Sequence, residues 1–137
     1  MTRIIESLDQ IASAYDALFV DLWGCVHDGV RAFPAACEAL ERFRAGGGHV
    51  VLVTNAPRHR RSVAAQLQRF GVPESAWDDI ATSGDSARVA MYAGAVGTKV
   101  WHLGDPSDQD FFDPPEILEN PLPIARVALD EAEGVVC

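Results

Sequence analysis

Short apolar runs alternate with stretches of helical periodicity along the first hundred residues. The runs at 17–20 and 49–53 are continuous, and each ends at a polar residue. Such runs are typical of strands that are buried on both faces of a parallel sheet. The pattern predicts two further strands, at 80–83 and at 99–103.

Apolar residues at helical spacing fill the intervals between these strands. The spacing predicts an amphipathic helix over 3–14, one from Pro34 to the glycines at 46–48, one ending at Gly71 and one over 84–95. Pro34 suits a first helical turn, where its missing N–H is harmless. Strands that alternate with helices through short connections indicate a parallel α/β sheet.

The pattern changes after residue 97. Residues 105–124 hold five of the eight prolines, which favours an irregular connection. Residues 126–129 and 134–137 resemble the edges of further strands. We therefore expect one domain portion at 1–97 and the start of a second domain at 98–137.

Composition and charge exclude several classes of protein. The chain has 137 residues, 48% of them hydrophobic, which suits one ordinary domain or one domain plus part of another. Of its net charge of −9, residues 1–71 carry +1 and residues 72–137 carry −10. An acidic surface repels nucleic acid and anionic membranes, so we expect neither as a partner. No apolar run approaches the roughly 20 residues of a membrane span.

The cysteines and the N-terminus predict a cytoplasmic protein. The three cysteines show no CxxC spacing, and the first residues show no apolar segment followed by a cleavage site. The basic stretch at 58–61 fits the solvated start of a helix, and contact with an anionic substrate or a partner is the open alternative.

Two polar clusters follow the first two predicted strands. They are Asp21–Gly29 and Thr54–Asn55. Ligands of open α/β sheets bind outside the carboxyl ends of the strands. A carboxylate at the end of a buried strand is unfavourable unless it binds a metal or takes part in chemistry, and a hydroxyl and an amide can donate hydrogen bonds to phosphate oxygens. Either cluster alone would suit a turn, but the two together favour a phosphate site.

The clusters resemble motifs of the haloacid dehalogenase (HAD) superfamily, and more closely of its class IIA, sugar-phosphatase-like branch. The resemblance is carried by residues Phe19–Gly29, Phe33–Leu40 and Val51–Arg58, with further similarity at 80–84 and 100–104. It implies an α/β fold in which a partial, Rossmann-like parallel-sheet core is followed by the beginning of an α/β cap.

The resemblance also implies a hydrolase, a magnesium-dependent phosphatase of small phosphorylated metabolites such as sugar phosphates. Asp21 would be the nucleophile that forms an aspartyl-phosphate. Thr54 would hold the transferring phosphoryl group, with Asn55 and Gly24 completing the phosphate-binding loops. Mg²⁺ would be held by the Asp21 carboxylate and the backbone carbonyl of Trp23, which suits a hard cation that prefers oxygen ligands.

Trp23 departs from the pattern of the phosphatases, which usually carry a second Asp there as general acid and base. Such help is worth about 10²- to 10⁴-fold in rate. Without this group three explanations are open. The enzyme is a slow phosphatase, its substrates have good leaving groups, or His27 or Asp28 transfers the proton instead.

A C–halogen hydrolase is an alternative, because haloacid dehalogenases proper also have an aromatic residue at the position of Trp23. Those enzymes insert their cap between the two motifs, and the 33 residues from Asp21 to Thr54 leave no room for one.

The second departure is an absence. The family needs a lysine near the phosphoryl group and a further acidic motif that completes the metal site. Lys99 is the only lysine, and Gly104–Asp110 only mimics the acidic motif. If 100–103 is a strand, Lys99 and Asp105 lie about 20 Å apart along it. We therefore expect the missing motifs beyond residue 137, and expect this fragment alone to bind magnesium poorly and to be inactive.

Two further expectations concern an alternative function of the chain and its assembly. A non-catalytic, receiver-like module phosphorylated on Asp21 is an alternative to the enzyme, although receivers need an acidic pair on an earlier strand. An incomplete cap would leave apolar strands at 127–129 and 135–136 without neighbours, which makes a homo-oligomer possible.

Overall fold

The computed structural model describes residues 4–105 and 109–137, which form two compact units. The first unit comprises the chain up to Asn55 together with Arg60–Ala81, and the second comprises Ala56–His59 together with the chain from Thr82 onward. The first unit is built from β1 (Ala17–Asp21), α1 (Pro34–Ala45), β2 (His49–Thr54), α2 (Arg60–Phe70) and β3 (Asp79–Thr82).

The sheet of the first unit has the order β1-β2-β3. Strands β1 and β2 are parallel, and their register places Ala17 opposite His49 and Asp21 opposite Val53. The predicted parallel α/β core is therefore confirmed. Its interior is formed by one face of the sheet and the apolar sides of the helices, with buried residues Leu40, Phe43, Val50, Leu52, Val63, Leu67 and Ile80.

The prediction that β1 is buried on both faces is wrong. Its residues alternate between exposed and half-buried, and the Phe19 side chain is 78% exposed. Right-handed connections that run in one direction across a sheet place α1 and α2 on the same face. Phe19 and its register partner Val51 lie on the other face. Strand β1 is also at the edge of the sheet, with β2 as its neighbour.

The helix expected over 3–14 is also absent from residues 4–14. The chain forms two 3₁₀ turns there, Leu8–Gln10 and Ala12–Ala14. The Ser7 hydroxyl caps the first turn by accepting a hydrogen bond from the Asp9 N–H. Ile11 then leaves helical geometry, with φ −129°. A local side-chain bond of this kind competes with a continuous helix.

The second unit contains α3 (Ser83–Tyr92) and a sheet of β4 (Lys99–His102), β5 (Ala125–Arg126) and β6 (Gly134–Val136). The order is β5-β4-β6, and β4 is parallel to both neighbours. The C-terminal segment therefore does find a strand partner, contrary to expectation, because β6 pairs with β4. Leu129 lies in a 3₁₀ turn and is exposed.

Helix α3 is joined to the irregular segment that precedes β5. The Arg88 side chain is 2% exposed, and its Nε donates to the Phe111 carbonyl at 3.1 Å. Its guanidinium also donates to the Asp113 carbonyl, and the Tyr92 hydroxyl donates to the Phe112 carbonyl. These bonds tie α3 to the later residues, and α3 belongs to the second compact unit. The assignment of a core and a cap stays a prediction.

The described part of 105–124 contains a single 3₁₀ turn, Gln109–Phe112, and is otherwise irregular, as expected from its prolines. None of the helices in the described ranges combines the length and the apolar character that crossing a bilayer requires.

Asp78 ties the loop before β3 to β2 and α1, and it makes the first unit sensitive to acid. One carboxylate oxygen accepts from the Val50 N–H at 2.7 Å, and the other accepts from Arg44 Nε at 3.0 Å. The Arg44 guanidinium and the Val50 N–H hold the pKa of Asp78 below its ordinary value.

We expect Asp78→Asn to lower the stability of the protein at neutral pH, because the folded state favours the ionised carboxylate. The difference should persist while the pH stays above the ordinary pKa of an aspartate. It should disappear as the pH falls through the lowered folded-state pKa, and urea unfolding at a series of pH values measures it. Asp79→Asn is the matched control, since the ion pair of Asp79 with Arg60 is largely exposed. An equal effect of both substitutions at every pH would contradict the prediction.

Candidate active site

The ends of β1 and β2 bring the predicted nucleophile and phosphate-binding residues to one edge of the sheet. Asp21 is the last residue of β1 and lies opposite Val53, so Thr54 and Asn55 follow directly beside it. The Asp21 side chain is exposed, and its Oδ1 accepts from the Leu22 N–H at 2.7 Å. Thr54 is half-buried and Asn55 is exposed. The proximity that the sequence predicts for these residues is therefore present.

The loop after β1 folds back on itself around one carbonyl. The Leu22 carbonyl accepts hydrogen bonds from the N–H groups of Cys25, Val26 and His27 at 2.9–3.2 Å. The Gly24 N–H donates to the His27 carbonyl at 2.9 Å, and Gly24 has φ +77°, which a glycine adopts without strain. The buried side chains of Leu22 and Val26 anchor this turn.

Trp23 presents its indole at the surface of the loop, next to Gly29 and His27. The side chain is 70% exposed. It lies so close to Gly29 that a Cβ there would be 2.3 Å from the ring, and Gly29 has φ +90°. The Trp23 ring also meets the edge of His27, with centroids 5.9 Å apart and an interplanar angle of 85°. The sequence shows neither contact, although the glycine two residues after His27 is the signal for a close approach.

His27, one of the two residues predicted for proton transfer, supports the loop from inside. It is 5% exposed, its Nδ1 accepts from the Gly29 N–H at 3.0 Å, and its ring packs on Phe70 with centroids 5.0 Å apart. Burial lowers its pKa, although the nearby Asp28 and Asp21 carboxylates act in the opposite direction. A neutral imidazole that accepts through Nδ1 positions the loop, and this geometry gives its role in proton transfer no support.

Asp28, the other residue predicted for proton transfer, forms the turn that follows. Its Oδ1 accepts from the N–H groups of Val30 and Arg31 at 2.9 and 2.8 Å. These bonds hold the pKa of Asp28 below its ordinary value. An aspartate that is ionised at neutral pH and holds a turn has no proton to donate to a leaving group.

The oxygens present at the strand end suit magnesium but form only part of a site. The Asp21 carboxylate is exposed. The carbonyls of Leu22 and His27 accept the backbone hydrogen bonds of the loop around Trp23, and none of those bonds uses the Trp23 carbonyl. Mg²⁺ is commonly held by one or two carboxylates, substrate phosphate and water. Within 4–105 and 109–137, no group of three His, Cys, Asp or Glu residues is arranged to hold a metal.

Lys99 and the acidic stretch after it lie in the second unit. Lys99 begins β4, and Asp105 follows the end of that strand. This agrees with the expectation that the two residues lie at opposite ends of one strand. Asp108, the middle acid of the Gly104–Asp110 stretch, lies outside the described residues.

Known families and structures show what the chain is similar to. A model of haloacid dehalogenase-like hydrolases matches residues 18–114, which include both strand ends of the site. The chain belongs to the haloacid dehalogenase-like hydrolase family. The resemblance of the sequence motifs to this superfamily is thereby confirmed.

Two solved structures are similar to this HAD-like chain. One is a hydrolase of the haloacid dehalogenase-like family from Brucella suis 1330, with 39% identity and a TM-score of 0.84 over 98% of this chain and 48% of that one. The other is hypothetical protein PH1952 from Pyrococcus horikoshii OT3, with 24% identity and a TM-score of 0.54 over 69% of this chain and 36% of that one. The chain thus spans about half the length of the Brucella protein. No curated protein matches it.

Proposed function

We propose that this chain carries the nucleophile and phosphate-binding part of a magnesium-dependent phosphatase of the class IIA branch. Its substrates would be small phosphorylated metabolites, and sugar phosphates are the class that the resemblance names. The observation that carries the proposal is the register of β1 and β2, which sets the Asp21 carboxylate beside the Thr54–Asn55 end of the neighbouring strand. Membership in a hydrolase family supports it.

The reaction proceeds in two displacements. An Asp21 carboxylate oxygen attacks phosphorus, the bond from phosphorus to the ester oxygen breaks, and the leaving group departs with that electron pair. The Thr54 hydroxyl donates to a phosphoryl oxygen while Asn55 supports the loop. Water then attacks the aspartyl-phosphate, which releases inorganic phosphate and restores the carboxylate. The Asp21 carboxylate and the Trp23 carbonyl would hold magnesium, whose charge would offset that of the phosphoryl group.

We infer in addition that the working enzyme is longer than these 137 residues. The similar Brucella chain is about twice as long, since the match covers 48% of it. Phe19 is exposed on a sheet face that parallel α/β proteins normally cover, and β1 is an edge strand. The same face makes the 137 residues alone prone to self-association.

A comparison of two purified proteins tests the proposed function. One is the 137-residue chain, and the other is the complete product of its gene, including any residues after Cys137. We expect the complete product to hydrolyse p-nitrophenyl phosphate and sugar phosphates with magnesium and not with EDTA, while the 137 residues alone do not. Release of halide from 2-haloacids without metal would support the C–halogen hydrolase instead. Magnesium-dependent turnover by the 137 residues alone would overturn the inference of a longer enzyme.

Thr54 offers a prediction about phosphoryl binding. In the complete enzyme, Thr54→Val removes the hydroxyl and keeps the shape of the side chain. We expect kcat to fall by about 10²- to 10³-fold, the usual effect of losing one hydrogen-bond donor to transition-state charge. Thr54→Ser keeps the hydroxyl and should retain most of the activity. Equal losses in both variants would show that Thr54 acts through packing.

A further inference from the structure

The exposed Trp23 indole packs against two neighbours in its own loop, Gly29 and His27. Its ring lies against Gly29, where a Cβ would be 2.3 Å from the indole, and it is perpendicular to the His27 ring at a centroid distance of 5.9 Å. His27 is itself buried against Phe70 and bonded to the Gly29 N–H.

The position of this indole connects it to the proposed nucleophile. Trp23 is two residues after Asp21, and the loop that carries it begins directly after Asp21 at the end of β1. The ring is therefore at the strand end where the ester would lie. Its exposed face is large, flat and apolar, and an aromatic ring stacks on such a face with a preferred offset geometry.

The hydrogen bonds of the same loop do not favour a proton donor for the leaving group. Asp28 is held ionised by its turn, and His27 uses Nδ1 to accept the Gly29 N–H. A sugar hydroxyl leaves poorly without a proton, because an alkoxide is nearly as basic as hydroxide. A phenol, with a pKa of about 10 like that of tyrosine, leaves as the anion far more readily.

We propose that Trp23 is a specificity-determining platform that makes this enzyme selective for aryl phosphates, whose ring stacks on the indole and leaves without protonation. The inference rests on the proposed function and narrows its substrate class. In the first step the Asp21 oxygen bonds to phosphorus, and the bond from phosphorus to the aryl oxygen breaks. The phenolate keeps the electron pair and takes a proton from solvent after release. Water then hydrolyses the aspartyl-phosphate.

The test compares phenyl phosphate with cyclohexyl phosphate, which have the same charge and a similar size but differ in flatness and leaving group. With the complete enzyme and magnesium, we expect kcat/KM for phenyl phosphate to be at least 100-fold higher. Binding alone is measured by calorimetry with the Asp21→Asn enzyme, which does not turn over either ester. There, phenyl phosphate should bind about three- to tenfold more tightly than cyclohexyl phosphate, the usual gain of one aromatic pair.

Substitutions at Trp23 separate the stacking role from a structural one. Trp23→Leu should raise KM for phenyl phosphate about three- to tenfold more than it raises KM for cyclohexyl phosphate, while Trp23→Phe retains most of the preference. Trp101→Phe, in the second unit, is the control and should change neither. Equal use of both esters by the wild-type enzyme, or an equal loss for both in Trp23→Leu, would overturn the platform. If neither ester is hydrolysed and Asp21→Asn changes nothing, the proposed function itself fails.

Discussion

Asp21→Asn should abolish turnover in the complete enzyme while leaving its fold intact. Removal of a covalent nucleophile reduces kcat by about 10⁶-fold in well-studied hydrolases. The asparagine keeps the shape of the side chain, and its amide oxygen can still accept the Leu22 N–H that Asp21 Oδ1 accepts at 2.7 Å. The large effect should therefore appear in the chemistry and not in stability. Steady-state hydrolysis of an aryl phosphate and thermal unfolding measure the two separately.

The control is an aspartate at the other end of the same strand. Asp16 precedes β1 and is exposed, and its backbone carbonyl accepts the His49 N–H at 2.9 Å, a bond that Asp16→Asn leaves unchanged. We expect that substitution to keep wild-type kcat. Acid-quenched enzyme should also contain a phosphoryl group that hydroxylamine removes, and Asp21→Asn should contain none. Turnover by Asp21→Asn at more than a hundredth of the wild-type rate would remove Asp21 from the role of nucleophile.

The strand ends were predictable because their signals are local. The apolar run that ends at Phe19–Val20 before Asp21 predicts the end of a strand. The alternation of strands and helices predicts a parallel neighbour, which brings Thr54 beside Asp21. The burial of β1 was not predictable in the same way. Continuous apolar composition shows that a strand can be covered on both faces, but whether Phe19 is covered depends on which segments pack there.

The roles of the loop residues depend on contacts that spacing does not encode. His27 and Asp28 have the chemistry of acid–base groups, so the sequence offers them as substitutes for a missing acid. In the structure these side chains stabilise the loop instead. Nδ1 of His27 accepts the Gly29 N–H, and Oδ1 of Asp28 accepts two backbone N–H groups. Similarly, the 3–14 periodicity predicts one helix, but the Ser7 cap begins a short turn at Leu8 and the backbone leaves helical geometry at Ile11.

Trp23→Asp should raise the phosphatase activity toward alkyl esters, because it adds a proton donor for their basic leaving groups. The new carboxylic acid would stand two residues after the nucleophile and would be free of the turn that occupies Asp28. A general acid and base is worth about 10²- to 10⁴-fold, so we expect kcat for a sugar phosphate to rise by that order. For p-nitrophenyl phosphate, whose leaving group needs no proton, the gain should be at most about tenfold. Rates for esters of increasingly basic leaving groups measure the difference.

The matched variant is Trp23→Asn, which has the same shape and no transferable proton. Both substitutions remove the indole from Gly29 and from the edge of His27, so both disturb the loop to the same degree. A gain confined to Trp23→Asp therefore reports proton transfer, and its rate should fall again at high pH as the acid loses its proton. If both variants gain equally, the wild-type indole limits alkyl esters by blocking access. If neither gains, position 23 in this fold cannot deliver a proton to the ester oxygen, and selectivity for leaving groups must arise elsewhere in the enzyme.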